Sequence, residues 1–259
     1  MLPLSAYPAP GLFITATNTD VGKTTATAVL AAALHSLGKK VGILKPIASG
    51  CPKFPHRGNN PDFPLADDDL IPLDVFLPAQ SLNLDIQDET LLSFMSPLRY
   101  AAPVSPALAA ELESRPADFS RVQRALDYWR SRADLLLVEG AGGWLTPLDA
   151  QDHMIADIAA ALKLPVILVT TPGLGSINAT LLTIESIRAR KLEVAGLIIN
   201  NVPPLQQQDL AIQSNLKEIP RLAGVPLLGL LPRLEKAPTH PLPAELMNPL
   251  LPFASSLLR

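Results

Sequence analysis

The sequence predicts an α/β fold, a single doubly wound and mostly parallel sheet with helices on both faces. Three observations point there. Short apolar runs recur at 12–15, 41–45, 135–139, 166–170, 197–201 and 227–230, and they are continuous rather than alternating, as in strands buried on both sides. Longer stretches of helical character stand between several of them, the order of a βαβ architecture. The loop after the first run ends in Gly22-Lys23-Thr24, directly ahead of an Ala- and Leu-rich stretch. A strand, a loop and then a helix is the arrangement that cradles phosphate.

The elements follow in order. The strand at 12–15 leads through a polar loop to a helix at 23–37, favoured by its Ala and Leu content and ended by Gly38. The strand at 41–45 comes next. Residues 51–64 carry Pro52, Pro55, Pro61 and Pro64 with Gly58, Asn59 and Asn60, the composition of a surface loop. Helices are expected at 106–114 and 119–131, then at 152–163 and 176–191 between the later strands. The tract 203–208 reads as a turn, and the tail from Pro238 holds too many prolines for a long helix. No internal repeat is present, so the expected organisation is one domain over 1–259 with a Pro-rich loop at 52–64 and a Pro-rich tail at 238–259.

Composition excludes several classes. Of 259 residues, 48% are hydrophobic and 17% charged, which excludes an intrinsically disordered chain. The 27 prolines exceed the usual share of roughly 5%, but no Gly-X-Y period accompanies them, so collagen is excluded. A net charge of −3 supplies no basic field for nucleic acid. No apolar run approaches the ~20 residues of a membrane span, and residues 1–22 contain no Lys or Arg with which to open a signal peptide. Cys51 stands alone, so no intrachain disulfide forms. The expectation is a cytoplasmic protein without nucleic-acid or membrane partners.

The residues that carry chemistry lie where strands end. Loop N–H groups and the helix N-terminus would face an anion, Lys23 would reach the β- and γ-phosphates, and the Thr24 hydroxyl would ligate Mg²⁺. The strict phosphate-loop spacing places Gly at position 17, where this chain has Thr17. Glu139 leaves an apolar strand and is followed by Gly140, Ala141, Gly142 and Gly143; a carboxylate there suits a hard cation. Lys45 follows the second strand and points to the same crevice. Asp67, Asp68 and Asp69 could supply a further metal carboxylate. Residues 173–178, Gly-Leu-Gly-Ser-Ile-Asn, form another strand-to-helix junction with exposed N–H groups. Read singly, each has a plainer account: a surface loop, a helix cap, a solvated lysine, a solvated acidic run, an ordinary turn.

Taken in chain order, the motifs are more specific. ATNTDVGKT at 16–24, KPIASG at 45–50, PVSP at 103–106, VEGAGG at 138–143 and AGLIIN at 195–200 together resemble the dethiobiotin synthetase family of P-loop enzymes, over about residues 11–235. The resemblance implies an ATP- and Mg²⁺-dependent cyclo-ligase acting on 7,8-diaminopelargonate and CO₂. It implies that Asp20, Val21, Gly22, Lys23, Thr24 and Thr25 hold the triphosphate, with Thr24, Glu139 and one aspartate, Asp68 favoured, around Mg²⁺. Lys45 would be the catalytic lysine beside the carbamate, with Lys23 stabilising the charge that builds on the phosphoryl oxygens and Thr19 near the reacting carbamate. Gly140, Ala141 and Gly142 would approach the nucleotide, Asn200 and Asn201 the adenine, and Pro232, Arg233 and Leu234 the adenine or ribose side. Ser49 would bind the diamine, and Gly175, Ser176 and Asn178 would receive its carboxylate from the neighbouring subunit of a homodimer. Two departures stand out. Ala16 replaces a Gly, which would be strained by about 1 kcal/mol or more if φ there were positive, and Asp20 replaces a Glu.

Two rival functions fit the sequence less well. Another ATP-dependent ligase of the same branch, of the cobyrinate amidase kind, would need a glutaminase cysteine that the surroundings of Cys51 do not provide. A partitioning or cell-division ATPase would need an additional Lys early in the loop, and 15–22 contain none.

Overall fold

The computed structural model describes residues 2–53, 70–236, 238 and 241–258. Asp67, Asp68 and Asp69, and all of the Pro-rich loop but Pro52 and Lys53, lie outside them. The chain forms β1 (Gly11–Ala16), α1 (Lys23–Ser36), β2 (Val41–Leu44), β3 (Ile47–Ala48), α2 (Phe76–Ser81), α3 (Glu89–Met95), β4 (Leu98–Arg99), α4 (Pro106–Leu112) and α5 (Phe119–Arg130). It continues through β5 (Leu135–Glu139), α6 (Ile155–Leu162), β6 (Val166–Thr170), α7 (Ser176–Ala189), β7 (Val194–Val202), α8 (Leu210–Ala223), β8 (Leu227–Pro232), α9 (Ala244–Met247) and α10 (Leu251–Ser256).

The apolar runs pair into a six-stranded parallel sheet in the order β2-β5-β1-β6-β7-β8. Alternate residues of the inner strands enter different cores. In β6 and β7, Leu168, Leu197 and Ile199 pack with Ile184 of α7 and with Ile219 and Ala223 of α8. Ile167, Val169 and Ile198 point into the main core instead. Both sheet faces are therefore covered, which is why these strands carry no polar alternation.

The register aligns the strand ends that matter. Ile14 of β1 stands opposite Glu139 of β5, and Ala16 opposite Val169 of β6. The chain crosses from β1 outward to β2, returns through β5, and then builds the other half from β6, so the carboxyl ends around β1 form a topological switch point, where ligands bind in such sheets. A small parallel pair, Ile47↔Leu98 and Ala48↔Arg99, carries the chain past the end of β2.

Several elements differ from expectation. Ala16 closes β1 as a buried strand residue and is not among those with positive φ, so the absent glycine strains nothing there. α8 is not apparent in the sequence, because Pro220 interrupts its pattern. It forms nonetheless, with Asp209 capping it (Ile212 N–H to Oδ1, 2.8 Å) and Asn215, Ile219 and Ala223 buried at four-residue spacing. The Pro-rich tail makes only short helices, but they join the main core through Leu242, Leu246, Leu250 and Ala254. Among the described residues no helix is long and apolar enough to cross a membrane.

Candidate active site

The loop between β1 and α1 is curled by two left-handed residues, Asp20 (φ 58°) and Gly22 (φ 96°). Asp tolerates this conformation better than most residues, and Gly adopts it freely. Gly22 has a second reason to lack a side chain, since a Cβ there would lie 1.9 Å from Asn200 Nδ2. The Asn200 amide donates to the Val21 carbonyl (2.9 Å), which ties the loop to the end of β7. α1 starts with no side-chain cap and no acidic residue in its first turn. Its first N–H groups and positive dipole end are thus left for an anion.

Lys23 is buried, with Nζ 3.4 Å from the Asn18 carbonyl. Burial, followed by the neighbouring Lys45 charge, pulls its ammonium down from 10.5 to about 8, although Glu139, Asp74 and Asp20 act in the other direction. A polyanion in the loop would raise it again.

The acidic centre is assembled from four separate segments: the end of β5, the residue after β2, the first turn of α1 and a 3-10 turn ahead of α2. Glu139, at the end of β5, is 2% exposed, and its Oε1 accepts from Thr24 Oγ1 (2.9 Å) and Lys45 Nζ (2.8 Å). Lys45 is fixed through its own N–H, which donates to the Met95 carbonyl (2.7 Å). Its ammonium also donates to the Gly140 carbonyl (3.0 Å) and pairs with Asp74 Oδ2 (2.8 Å). Burial alone would lower the Lys45 pKa; the Glu139 and Asp74 charges outweigh it and hold the ammonium above the ordinary lysine range. For Asp74, partial burial works upward, but Lys45 and then Lys23 leave its carboxyl below the usual range.

No sequence motif marks Asp74. It sits on a 3-10 turn, Leu73–Val75, just ahead of α2. Pro72 with an acid two residues on and an apolar stretch after it is a helix-start pattern, and that pattern is the available signal. The run 67–69 is more conspicuous because it holds three carboxylates in succession.

Two cavities meet at this centre. One of about 420 Å³ is lined by Thr19, Lys23, Lys45, Ser49, Asp74, Glu139, Ala141 and Gly142. The other, of about 520 Å³, is lined by Thr25, Leu73, Leu77, Asn200, Asn201, Pro232 and Leu234 with Glu235, Lys236 and Pro238. Asp20, Gly22 and Thr24 line both. The Ser49 hydroxyl faces the first cavity while donating to the Val104 carbonyl (2.7 Å). Two expected residues serve the framework: Val21 is buried in the core, and the Gly140 N–H donates to the Ile14 carbonyl (2.9 Å). Arg233 lines neither cavity and donates to Asn201 Oδ1 (3.1 Å).

Gly175, Ser176 and Asn178 also line neither cavity. They open α7, Gly175 with φ 88° and no side-chain cap, Ser176 buried beside Thr171 (3.2 Å between hydroxyl oxygens), Asn178 exposed. The buried Asn215 amide holds the preceding turn by donating to the Pro172 and Gly173 carbonyls (2.9 and 2.8 Å). Leu174 at its tip is 94% exposed. Cys51 is buried, which pushes its thiol up to about 11 and makes it a poor nucleophile.

Thr24, Glu139 and Asp74 offer one hydroxyl and two carboxylates, the hard oxygen donors that Mg²⁺ takes. Among the described residues no group of three His, Cys, Asp or Glu side chains converges to hold a metal. A cation here would draw further oxygens from water or phosphate.

Comparison with known proteins adds to the geometry. The model of a family described as an AAA domain matches residues 10–239. The chain is 36% identical over 230 residues to the ATP-dependent dethiobiotin synthetase BioD of Thermodesulfovibrio yellowstonii, a match covering 86% of this chain and 89% of that one. It is 34% identical over 229 residues to the protein of the same name from Bacillus subtilis, covering 86% and 87%. Among solved structures, the MinC:MinD cell division protein complex of Aquifex aeolicus contains a chain with a TM-score of 0.52 at 14% identity, covering 96% of each chain. That last likeness concerns the fold alone.

Proposed function

The chain belongs to the ATP-dependent dethiobiotin synthetase family, and on that premise we propose that it converts 7,8-diaminopelargonate, CO₂ and ATP to dethiobiotin, ADP and phosphate. One amine adds to CO₂ and loses a proton, giving a carbamate. A carbamate oxygen then takes the γ-phosphoryl group and ADP leaves. The second amine attacks the carbon of the resulting carbamic-phosphoric anhydride, phosphate departs, the attacking nitrogen loses a proton, and the ring closes.

The observation that carries this reading is the pair of cavities joined along Asp20, Gly22 and Thr24. Nucleotide base and ribose fit the larger, between Leu73 and Leu77 on one side and Pro232 and Leu234 on the other. Carbamate and diamine fit the smaller, beside Lys45, Ser49 and Thr19. The γ-phosphoryl group lies at the seam, over the uncapped start of α1, where loop amides and Lys23 stabilise the charge that builds on its oxygens.

Lys45 faces the carbamate from the floor of the smaller cavity. Its raised pKa, caused by Glu139 and Asp74 against the effect of burial, makes it a fixed positive charge and not a proton donor at neutral pH. Thr24, Glu139 and Asp74 would hold Mg²⁺; Asp68 lies outside the described residues. When bound, the ion would neutralise phosphoryl charge. The exposed Leu174 beside Gly175, Ser176 and Asn178 supports a homodimer in which this turn completes the partner's substrate site; a monomer of full activity in sedimentation would refute it.

The test is direct. Purified protein is incubated with Mg²⁺, ATP and bicarbonate, with and without the diamine, and dethiobiotin and ADP are measured. Diamine-dependent formation of both is expected, and ATP hydrolysis indifferent to the diamine, without dethiobiotin, would sink the reading.

A further inference from the structure

Lys45 Nζ lies 2.8 Å from Glu139 Oε1 and 2.8 Å from Asp74 Oδ2, and Glu139 Oε1 also accepts from the Thr24 hydroxyl. Those are the donor groups that would hold Mg²⁺ in the proposed reaction. An ammonium at contact distance therefore draws on the same oxygens as the metal.

Glu139 and Asp74 bring two negative charges. Lys45 returns one, and Lys23, which lines the same cavity, brings another, against a further carboxylate from Asp20 on the loop. The protein thus presents a free dication with a carboxylate pair already in contact with one ammonium and near a second, and with no third His, Cys, Asp or Glu ligand converging among the described residues. A triphosphate on the loop reverses the balance, since it adds several negative charges and further hard oxygens next to Thr24.

Resting on that reading of the site as an Mg²⁺- and ATP-dependent ligase, we propose that Lys45 is a resident cation that suppresses metal binding in the absence of nucleotide, so that Mg²⁺ enters only together with the triphosphate. The same lysine that faces the carbamate thereby orders the loading of the site. It acts through the carboxylates, and this second role is positional and electrostatic.

Mn²⁺ alone, without nucleotide, is the probe, followed by loss of the free-ion electron paramagnetic resonance signal. Wild-type protein should show only weak association. Lys45→Met should bind Mn²⁺ at least about tenfold more tightly, because an adjacent unit charge is removed. Lys45→Arg, which keeps the charge, should behave as wild type, and Asp74→Asn placed on Lys45→Met should cancel the gain. Equal Mn²⁺ affinity of wild type and Lys45→Met, or a gain in Lys45→Arg, would overturn the proposal. If Lys45→Met is unfolded in metal-free buffer, recovery of its circular dichroism on adding Mn²⁺ supports the proposal and failure to recover overturns it. Dethiobiotin formation by the wild type is measured separately, so a wrong loading order and a wrong reaction give different results.

Discussion

Replacing Lys23 with methionine removes a buried charge whose cost depends on pH in a calculable way. The Lys23 ammonium is held near 8 instead of 10.5, chiefly by burial and then by Lys45. Each decade of proton affinity is worth about 1.4 kcal/mol, so the folded state carries a penalty of at most about 3 kcal/mol at neutral pH. Between pH 8 and 10.5 the unfolded chain binds a proton that the folded chain lacks, so Lys23 makes wild-type stability rise across that window. Cys51 acts in the opposite direction: its folded thiol, pushed up to about 11 from 9.0 by burial, keeps a proton that the unfolded chain releases, and stability falls between those values. Subtracting the two proteins cancels Cys51. Urea unfolding of wild type and Lys23→Met from pH 7 to 11 should give a stability advantage for the methionine protein that shrinks by up to about 3 kcal/mol as pH rises. A difference that stays flat across this range would refute the account of Lys23 as a desolvated cation awaiting an anion.

Two further substitutions probe the loop and the acidic centre, and a third calibrates them. Gly22→Ala places a Cβ against the Asn200 amide in a left-handed conformation; it should lower stability by about 2 kcal/mol or more and weaken ATP binding by calorimetry, and a near-neutral result would contradict the tie between loop and β7. Glu139→Gln leaves Lys45 deeply buried without its best-shielded partner and should cost about 3–5 kcal/mol in denaturant unfolding. Asp74→Asn removes a carboxylate that is 45% exposed, and the loss should be about 1 kcal/mol or less. Equal losses for the two would mean that burial does not set the worth of these pairs.

Much of this architecture is legible in the sequence because it follows from strong local constraints. Strands covered on both faces must be apolar throughout, so 135–139 and 166–170 can be read with the bounds the fold gives them. The loop at 16–24 is legible because Gly-Lys-Thr after a strand has few other uses. What stays hidden is settled by tertiary contact. Asp74 reaches the site only because a short 3-10 turn, with no strong pattern of its own, is carried over Lys45. α8 contains a proline that its packing against α7 outweighs. The tail reads as coil from its prolines, yet Leu250 of the tail fits where Gly229 of β8 has no side chain, a Cβ there lying 2.8 Å from the leucine. The Asn200 amide is expected from the sequence to face a base; one of its N–H groups is taken by the Val21 carbonyl, and that pairing is invisible without the fold.

The shared wall of the two cavities has a consequence for inhibitor chemistry. Chambers of about 420 and 520 Å³ abut along Asp20 and Gly22 of the loop and Thr24 in the first turn of α1. A fragment found for either chamber can be extended toward the other through an anionic linker lying over the start of α1. Joining two weak fragments in this way raises avidity by about 10²–10⁴ when the linker length suits the span. The loop residues between the chambers then set the length of the tether.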